Sequence, residues 1–440
     1  MEEMCAAHTC ASSLDVETIR KDFPILSTQV HDRELVYLDN AATTQVPLQV
    51  TDAVAQHYAA SNANVHRGMH YLAHASTAAF EQARKRVASF VGLSDPSCVV
   101  FTRGTTDGLN MLARGLEHML NPGDRVVVSV MEHHSNFVPW QQACLRRGAQ
   151  LCVVGLDEHS DLDICEYEQV LSGGPARQMT ALPSGEKPGP VRIVAMTGCS
   201  NVLGAVNPVH RLARMAHEAG ALFVLDGAQL MRHETAGIPE LGCDFLAFSG
   251  HKMMAGTGIG ALCGTREALE LVEPRDFGGE MVGTVGVSAT SWEKLPLRLE
   301  AGTPNYVGAV ALSAACSYMD DLGRDAIASR EDALVSHAAN MLSKVEGLQL
   351  LGEPRRRAGL LSFTVEGVHP LDLCTLVDTR GIALRSGHNC AQPLLSALGV
   401  TSVARMSPAF YNSFKEIDSA IEQIALASTM LRSATGSRKS

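Results

Sequence analysis

VRIVAMTGCSNVLGAVNPVHRLARMAHEAGALFVLD, residues 191–226, decides the fold. Two short apolar runs, VRIVAM (191–196) and ALFVLD (221–226), enclose a stretch with helical spacing. A near-continuous apolar run suits a strand buried on both faces, as in a parallel sheet covered by helices. Between the runs lies NPVHRLARMAHEAG (207–220), where Asn207 is placed to cap a helix, Pro208 fits its first turn and Gly220 fits its C-terminal stop. Strand, helix, strand at this spacing is a βαβ unit. RVVVSV (125–130) upstream and DFLAFS (244–249) downstream read as further strands of the same sheet.

Outward from this unit, 440 residues are too many for one small core, and two lobes are expected. The chain divides into a leading segment 1–38 with a disordered start, a large mostly parallel α/β domain 39–300, a smaller α+β domain 301–432 and a frayed tail 433–440. The change of character at Ala301 marks the boundary. Beyond it come a helical stretch (308–345), a strand-like LLSFTV (360–365), a loop rich in Arg, Gly and His, and a final helix from about Lys415. SGGPARQMTALPSGEKPGP (172–190) reads as a mobile surface insertion.

A hydrophobic share of 46% and a charged share of 19% describe an ordinary globular protein. A net charge of −11 argues against a general nucleic-acid binder, which needs clustered Lys and Arg. The 12 cysteines form no CxxC pair and no Cys/His cluster of zinc spacing, so no metal site is expected and the thiols read as mostly reduced. No apolar run reaches the ~18 residues of a membrane span. The opening MEEMCAAHTC is acidic and lacks the arginines of a transit peptide. A cytoplasmic place is expected, with a nuclear or organellar one left open.

The chemistry gathers at strand ends. Asp226 closes ALFVLD, and Lys252 follows DFLAFS inside SGHKMMAGTGIG (249–260). Ligands of open α/β sheets sit beyond the carboxyl ends of the strands, so these two side chains, 252 − 226 = 26 residues apart, are expected in one crevice. An acid and a lysine so placed suit pyridoxal phosphate. The amine forms a Schiff base with the aldehyde, and the carboxylate keeps the pyridine nitrogen protonated. Gln229 can donate to the ring hydroxyl. A buried salt bridge accounts for the pair equally well. TRGTTDGLNML (102–112) is a turn opening a helix, with Thr105 or Thr106 as cap, and a helix N-terminus of this kind binds phosphate. Ser249 and His251 add donors beside Lys252. His133, in MEHHSNFVPW (131–140), ends another strand, where an imidazole can stack on the ring and carry protons or simply be a structural group.

ASNANVHRGMHYL, RGTTDGLN, MEHHSNFVPWQ, SNVLGAVNP, VLDGAQ, FSGHKMMAGTGIG, EAGTPN and RSGHNCAQPL occur in one order. With them, about residues 16 to 430 resemble the cysteine desulfurases of the class V aminotransferase superfamily. The resemblance is to the group II or SufS-type branch, which also holds enzymes acting on selenocysteine. It implies a fold-type-I transferase using pyridoxal 5′-phosphate, with Lys252 as Schiff-base residue, Asp226 on the pyridine nitrogen, Gln229 on the ring oxygen and His133 stacked on the ring. Thr105, Thr106, Ser249 and His251 would hold the phosphate, and Thr303 would reach it from the partner subunit of a homodimer. Asn201 and Arg405 would bind the substrate carboxylate, Arg385 would stand beside them, and His66 would line the entrance. Cys390 would accept the sulfur.

The residues around Cys390 agree. It follows Arg385 by five positions (390 − 385) and His388 by two, and nearby cations favour thiolate. Arg405 has the planar fork that suits a carboxylate. The implied reaction takes sulfur from L-cysteine, leaving L-alanine and a persulfide on Cys390. A short acceptor loop would shelter that persulfide until an acceptor or scaffold protein collects it for iron–sulfur cluster assembly or a related pathway. Selenocysteine lysis is the nearest alternative. A generic aminotransferase or kynureninase-like enzyme would not need the RSGHNC loop, and a non-catalytic scaffold would not need an intact Lys252. Departures from the commoner pattern, at Asp107, Asn389 and Gly198-Cys199, bear on partner docking and loop position.

Overall fold

The computed structural model describes residues 14–182 and 184–436; the expected disordered start and the end of the expected tail lie outside the described residues. Eight strands form the main sheet: β1 (Val99–Thr102), β2 (Arg125–Ser129), β3 (Gln150–Val154), β4 (Gln178–Met179), β5 (Val191–Thr197), β6 (Leu222–Asp226), β7 (Phe245–Ser249) and β8 (Gly260–Gly264). Their spatial order is β1-β8-β7-β6-β5-β2-β3-β4. The five central strands β7-β6-β5-β2-β3 run parallel, and β8 and β4 run antiparallel to their neighbours. Every residue of β2, β3 and β7 is buried, which explains why these strands lack polar alternation. Register brings the carboxyl ends level: Thr197 pairs with Asp226, and Asp226 with Ala247.

The insertion contributes the edge strand β4, whose two residues are exposed beside β3. A second, four-stranded antiparallel sheet is built from β9 (Leu348–Leu350), β10 (Leu361–Val365), β11 (Arg385–Gly387) and β12 (Val403–Met406), in the order β9-β10-β12-β11.

The helices that matter for the site are α1 (Leu48–Ala60), α2 (Tyr71–Phe90), α3 (Thr105–Gly115), α4 (His134–Arg147), α5 (Val209–Glu218), α6 (Tyr306–Leu322), α7 (Arg324–Leu342) and α8 (Phe414–Gly436). Two helix starts differ from expectation. The α5 helix begins at Val209 with Pro208 in the cap position, because the Asn207 side chain instead donates to the Thr197 carbonyl at 2.8 Å. Gly220 ends it as expected, at φ +75°. Gly104, at φ +144°, takes the cap position of α3, so Thr105 and Thr106 fall inside the first turn and do not cap it.

Two apolar cores result. One contains the main sheet and its helices, with residues as far along the chain as Tyr411. The other lies between the second sheet, α7 and α8. Helix α6, beyond residue 300, packs on α1 and α2 in the first core, while Val36 and Leu38 belong to the second. No helix among the described residues is long and apolar enough to cross a membrane.

Candidate active site

Beyond the carboxyl ends of β2, β5, β6 and β7 lies a cavity of about 320 Å³. Asp226, Gln229, Ser249, His251 and Lys252 line it from the β6 and β7 ends. Thr105, Thr106 and His133 line it from α3 and the start of α4, and Asn201, Arg385, Cys390 and Arg405 close it from above. Two expected residues lie elsewhere in this chain. Thr303 is exposed and lines a separate cavity of about 560 Å³ with Arg275 and Phe277. His66 sits between α2 and a loop, with its imidazole 3.0 Å from Glu81 and 3.8 Å from Glu280.

At the cavity floor, Asp226 is 2% exposed and takes one hydrogen bond, from the Ala228 N–H at 2.9 Å. Burial raises its pKa. Burial lowers the Lys252 amine to about 8, although Asp226 pulls the other way. Gln229 donates to the Ala41 carbonyl at 2.7 Å, which pins its amide at the cavity edge. At the N-terminus of α3, the Ser249 hydroxyl accepts the Thr105 N–H at 2.8 Å and bonds the Thr105 hydroxyl at 2.7 Å. A Cβ on Gly104 would come within 3.0 Å of the Ser249 oxygen, so glycine is what lets this turn approach β7. The other first-turn amides of α3 have no intrahelical acceptor.

His133 caps α4. Its Nδ1 accepts the Ser135 N–H at 3.1 Å, which leaves the proton of the neutral ring on Nε2. Burial, then the Lys252 charge, lowers its pKa to about 4. Burial and Lys252 hold His251 near 4 as well.

Arg385 of β11 and Arg405 of β12 are directly opposed across the second sheet. Like charges so placed repel, and Asp39 reconciles them. Its carboxylate accepts from Arg385 Nε at 3.0 and 3.1 Å and from Arg405 Nη2 at 3.1 Å. Arg405 Nη1 donates to the Asn201 carbonyl at 2.9 Å, while its buried Nε and the buried Asn201 Oδ1 have no partner. Buried polar atoms left unpaired by the protein at a cavity wall are available to a polar ligand. Cys390 is exposed at the cavity mouth, so the expected shelter is not provided by this chain's own fold: the loop runs along the rim.

Sequence reading missed Asp39 and Glu132. Asp39 closes an apolar run in VYLDNAATT (36–44), the same signal that found Asp226. Glu132 is fully buried and ties three elements together. It accepts from the Ser129 hydroxyl (2.5 Å), the Thr197 N–H (3.0 Å) and the Asn136 amide (2.6 Å). Burial raises its pKa to about 8. Among the described residues no group of three or more His, Cys, Asp or Glu is placed to hold a metal.

The Aminotransferase class-V family model matches residues 36–419. A probable cysteine desulfurase from Halalkalibacterium halodurans is 43% identical over 92% of this chain and 96% of its own length. The chain belongs to the cysteine desulfurase family. Solved structures agree: the apo cysteine desulfurase of Thermococcus onnurineus NA1 superposes with a TM-score of 0.86 at 35% identity, over 94% of this chain and 98% of its own. Cysteine desulfurase CsdA of Escherichia coli, in its S-sulfonic acid form, gives 0.83 at 36% identity, over 94% and 99%. Some desulfurase relatives are longer: the chain spans 57% of a probable cysteine desulfurase from Mycolicibacterium paratuberculosis.

The cofactor of this class-V desulfurase is pyridoxal 5′-phosphate. The residues present fit it. A buried carboxylate with a single protein donor, a lysine amine with lowered pKa and a helix N-terminus beside a serine and a histidine match its pyridine nitrogen, aldehyde and phosphate.

Proposed function

We propose that this desulfurase takes sulfur from L-cysteine and holds it on Cys390, with Lys252, Asp226, Gln229, His133, Thr105, Thr106, Ser249 and His251 as the cofactor site. The observation that carries the reading is that Cys390 and Lys252 line one cavity. Bound there, pyridoxal 5′-phosphate supplies an aldehyde for amines and a ring that accepts the electron pair left on the substrate α-carbon.

The chain's own groups do the rest. Arg405, with its unpaired Nε, and Asn201, with its unpaired Oδ1, bind and orient the substrate's carboxylate and amino ends, and Arg385 flanks them. Asp226 would hold the cofactor's pyridine nitrogen and favour its protonated form. Lys252, easily deprotonated, takes the α-proton and gives it back to the α-carbon before L-alanine leaves, and His133, with its ring proton on Nε2, would be the neighbouring group for the other proton transfers. The Cys390 thiolate attacks the substrate sulfur: an S–S bond forms and the Cβ–S bond breaks. Its electron pair stays on Cβ, which takes a proton to become the alanine methyl, and the persulfide remains on Cys390. An exposed persulfide at the cavity mouth suits collection by a thiol of a sulfur-acceptor or scaffold protein.

The enzyme works as a homodimer in this reading. Thr303, which does not line the active-site cavity of its own chain, serves the phosphate of the other subunit, and His66 lines the shared entrance. Met69, Tyr71, Phe277 and Val287, large apolar side chains exposed on the single chain, support such an interface.

The test measures L-alanine and sulfide (with dithiothreitol) from L-cysteine for the parent and Cys390→Ala. Alanine release by the variant is expected to fall on the order of 10²-fold, with the cofactor still bound. Parent-like release would remove Cys390 from the reaction. L-Selenocysteine assayed alongside reads whether selenium release also needs this thiol.

A further inference from the structure

Helix α4 starts at the cavity rim, and its first residue, His134, grips the acceptor loop twice. Its backbone N–H donates to the Cys390 carbonyl at 2.8 Å. Its ring Nε2 accepts the N–H of Gln392 at 3.2 Å, and its ring centroid lies 5.8 Å from that of His388. On the other side of the thiol, Asn201 donates to the Asn389 carbonyl at 2.7 Å, and His388 Nδ1 accepts the Cys390 N–H at 3.0 Å. This bracket has work to do. Asn389 and Cys390 hold φ of +50° and +54°, two consecutive non-glycine residues in the left-handed region. The left-handed region is unfavourable for a side chain such as that of Cys390, more so than for Asn389, and such a conformation persists only where its surroundings over-determine it.

We propose that His134 is a positioning residue: its Nε2 acceptor holds the Cys390 loop in this left-handed form, so that the thiol faces the cavity. The claim rests on the reading that Cys390 is the sulfur acceptor. Burial and the neighbouring His388 hold the His134 imidazole below the ordinary histidine pKa, so the ring is a neutral acceptor at neutral pH. With Nε2 accepting, its proton resides on Nδ1. Loss of the acceptor leaves the Gln392 N–H unpaired and the loop free to leave the left-handed region.

His134→Ala and His134→Gln test this in the holoenzyme. Both keep the backbone bond to Cys390, and the glutamine side-chain oxygen takes the place of Nε2 as acceptor. The first readout is the rate at which iodoacetamide alkylates Cys390, followed by peptide mass spectrometry. The second is the split between kcat and KM for L-cysteine. His134→Ala is expected to change the alkylation rate several-fold and lower kcat about tenfold, with KM within about twofold, because thiol placement and not substrate binding is lost. His134→Gln is expected to return both to near parent values. Parent-like alkylation and kcat in the alanine variant overturn the proposal, and so does a glutamine variant as impaired as the alanine one. The alkylation readout does not depend on turnover. A Cys390→Ala enzyme that desulfurates normally would therefore sink the acceptor role while leaving the loop clamp to be judged by alkylation.

Discussion

Lys252 shows how much a single environment changes a side chain. An exposed lysine has a pKa of about 10.4, whereas burial, helped by Arg405 and Arg232 and opposed by Asp226, brings this one to about 8. The reactive form of an amine is the neutral one, so its reactivity appears about two pH units sooner than that of surface lysines. In cofactor-free protein, reductive methylation of Lys252 with formaldehyde is expected to be half-maximal near pH 8, rising with pH, while surface lysines lag. Site-resolved mass spectrometry checks it, and a Lys252 midpoint near 10.4 would show that the cavity does not desolvate the amine. Lys252, Asp226 and Cys390 were legible in the sequence because each closes an apolar run or sits in a motif. Asp39 closes an apolar run too, but its role was not legible there: it arises from accepting Arg385 and Arg405, 346 and 366 positions away, and no local pattern records such a meeting.

At the scale of elements, four of the five central strands, β2, β5, β6 and β7, were readable to within one residue, since burial on both faces leaves an unbroken apolar run, while β3 went unread. Helix starts were less readable. Threonine is a good cap in general, but the turn before α3 must pass within contact of Ser249, and only a residue without Cβ fits there. The cap position therefore fell to Gly104, and Thr105 and Thr106 came to line the cavity from the first turn, with the Thr105 hydroxyl bonded to Ser249. Gly104→Ala tests that exchange. Positive φ and a 3.0 Å clash with the Ser249 oxygen are expected to cost about 1–3 kcal/mol in urea unfolding of the cofactor-free protein. They should also weaken pyridoxal 5′-phosphate binding more than that of pyridoxal, because the displaced element is the one facing the phosphate. Equal weakening of the two ligands would place the phosphate elsewhere.

For the molecule as a whole, the reaction needs two cores held in register, because Lys252 belongs to the first and the strands carrying Arg385 and Arg405 to the second sheet. The tie is ionic and buried. Glu331 of α7, fully buried, lies 3.2 Å from Arg232 Nε and 2.6 Å from His233 Nδ1, and it accepts the Phe410 N–H at 3.1 Å. Arg232 and His233 follow Gln229 closely, so the tie runs from the edge of the active-site cavity to the helix that covers the second core. Burial alone would raise the Glu331 pKa, but Arg232 and His233 win and lower it. A carboxyl lowered on folding contributes stability that is present above its unfolded value of about 4.3 and is lost as pH falls through the lower folded value. Glu331→Gln leaves Arg232 buried without a counter-ion, and the expected loss is about 3–5 kcal/mol at pH 7, read from the urea midpoint of the holoenzyme. The same variant should flatten the fall in stability on the acid side, because the titrating group is gone. A loss under about 1 kcal/mol with an unchanged acid limb would mean that apolar packing alone sets the two cores, and that the cavity between Lys252 and Cys390 does not depend on this tie.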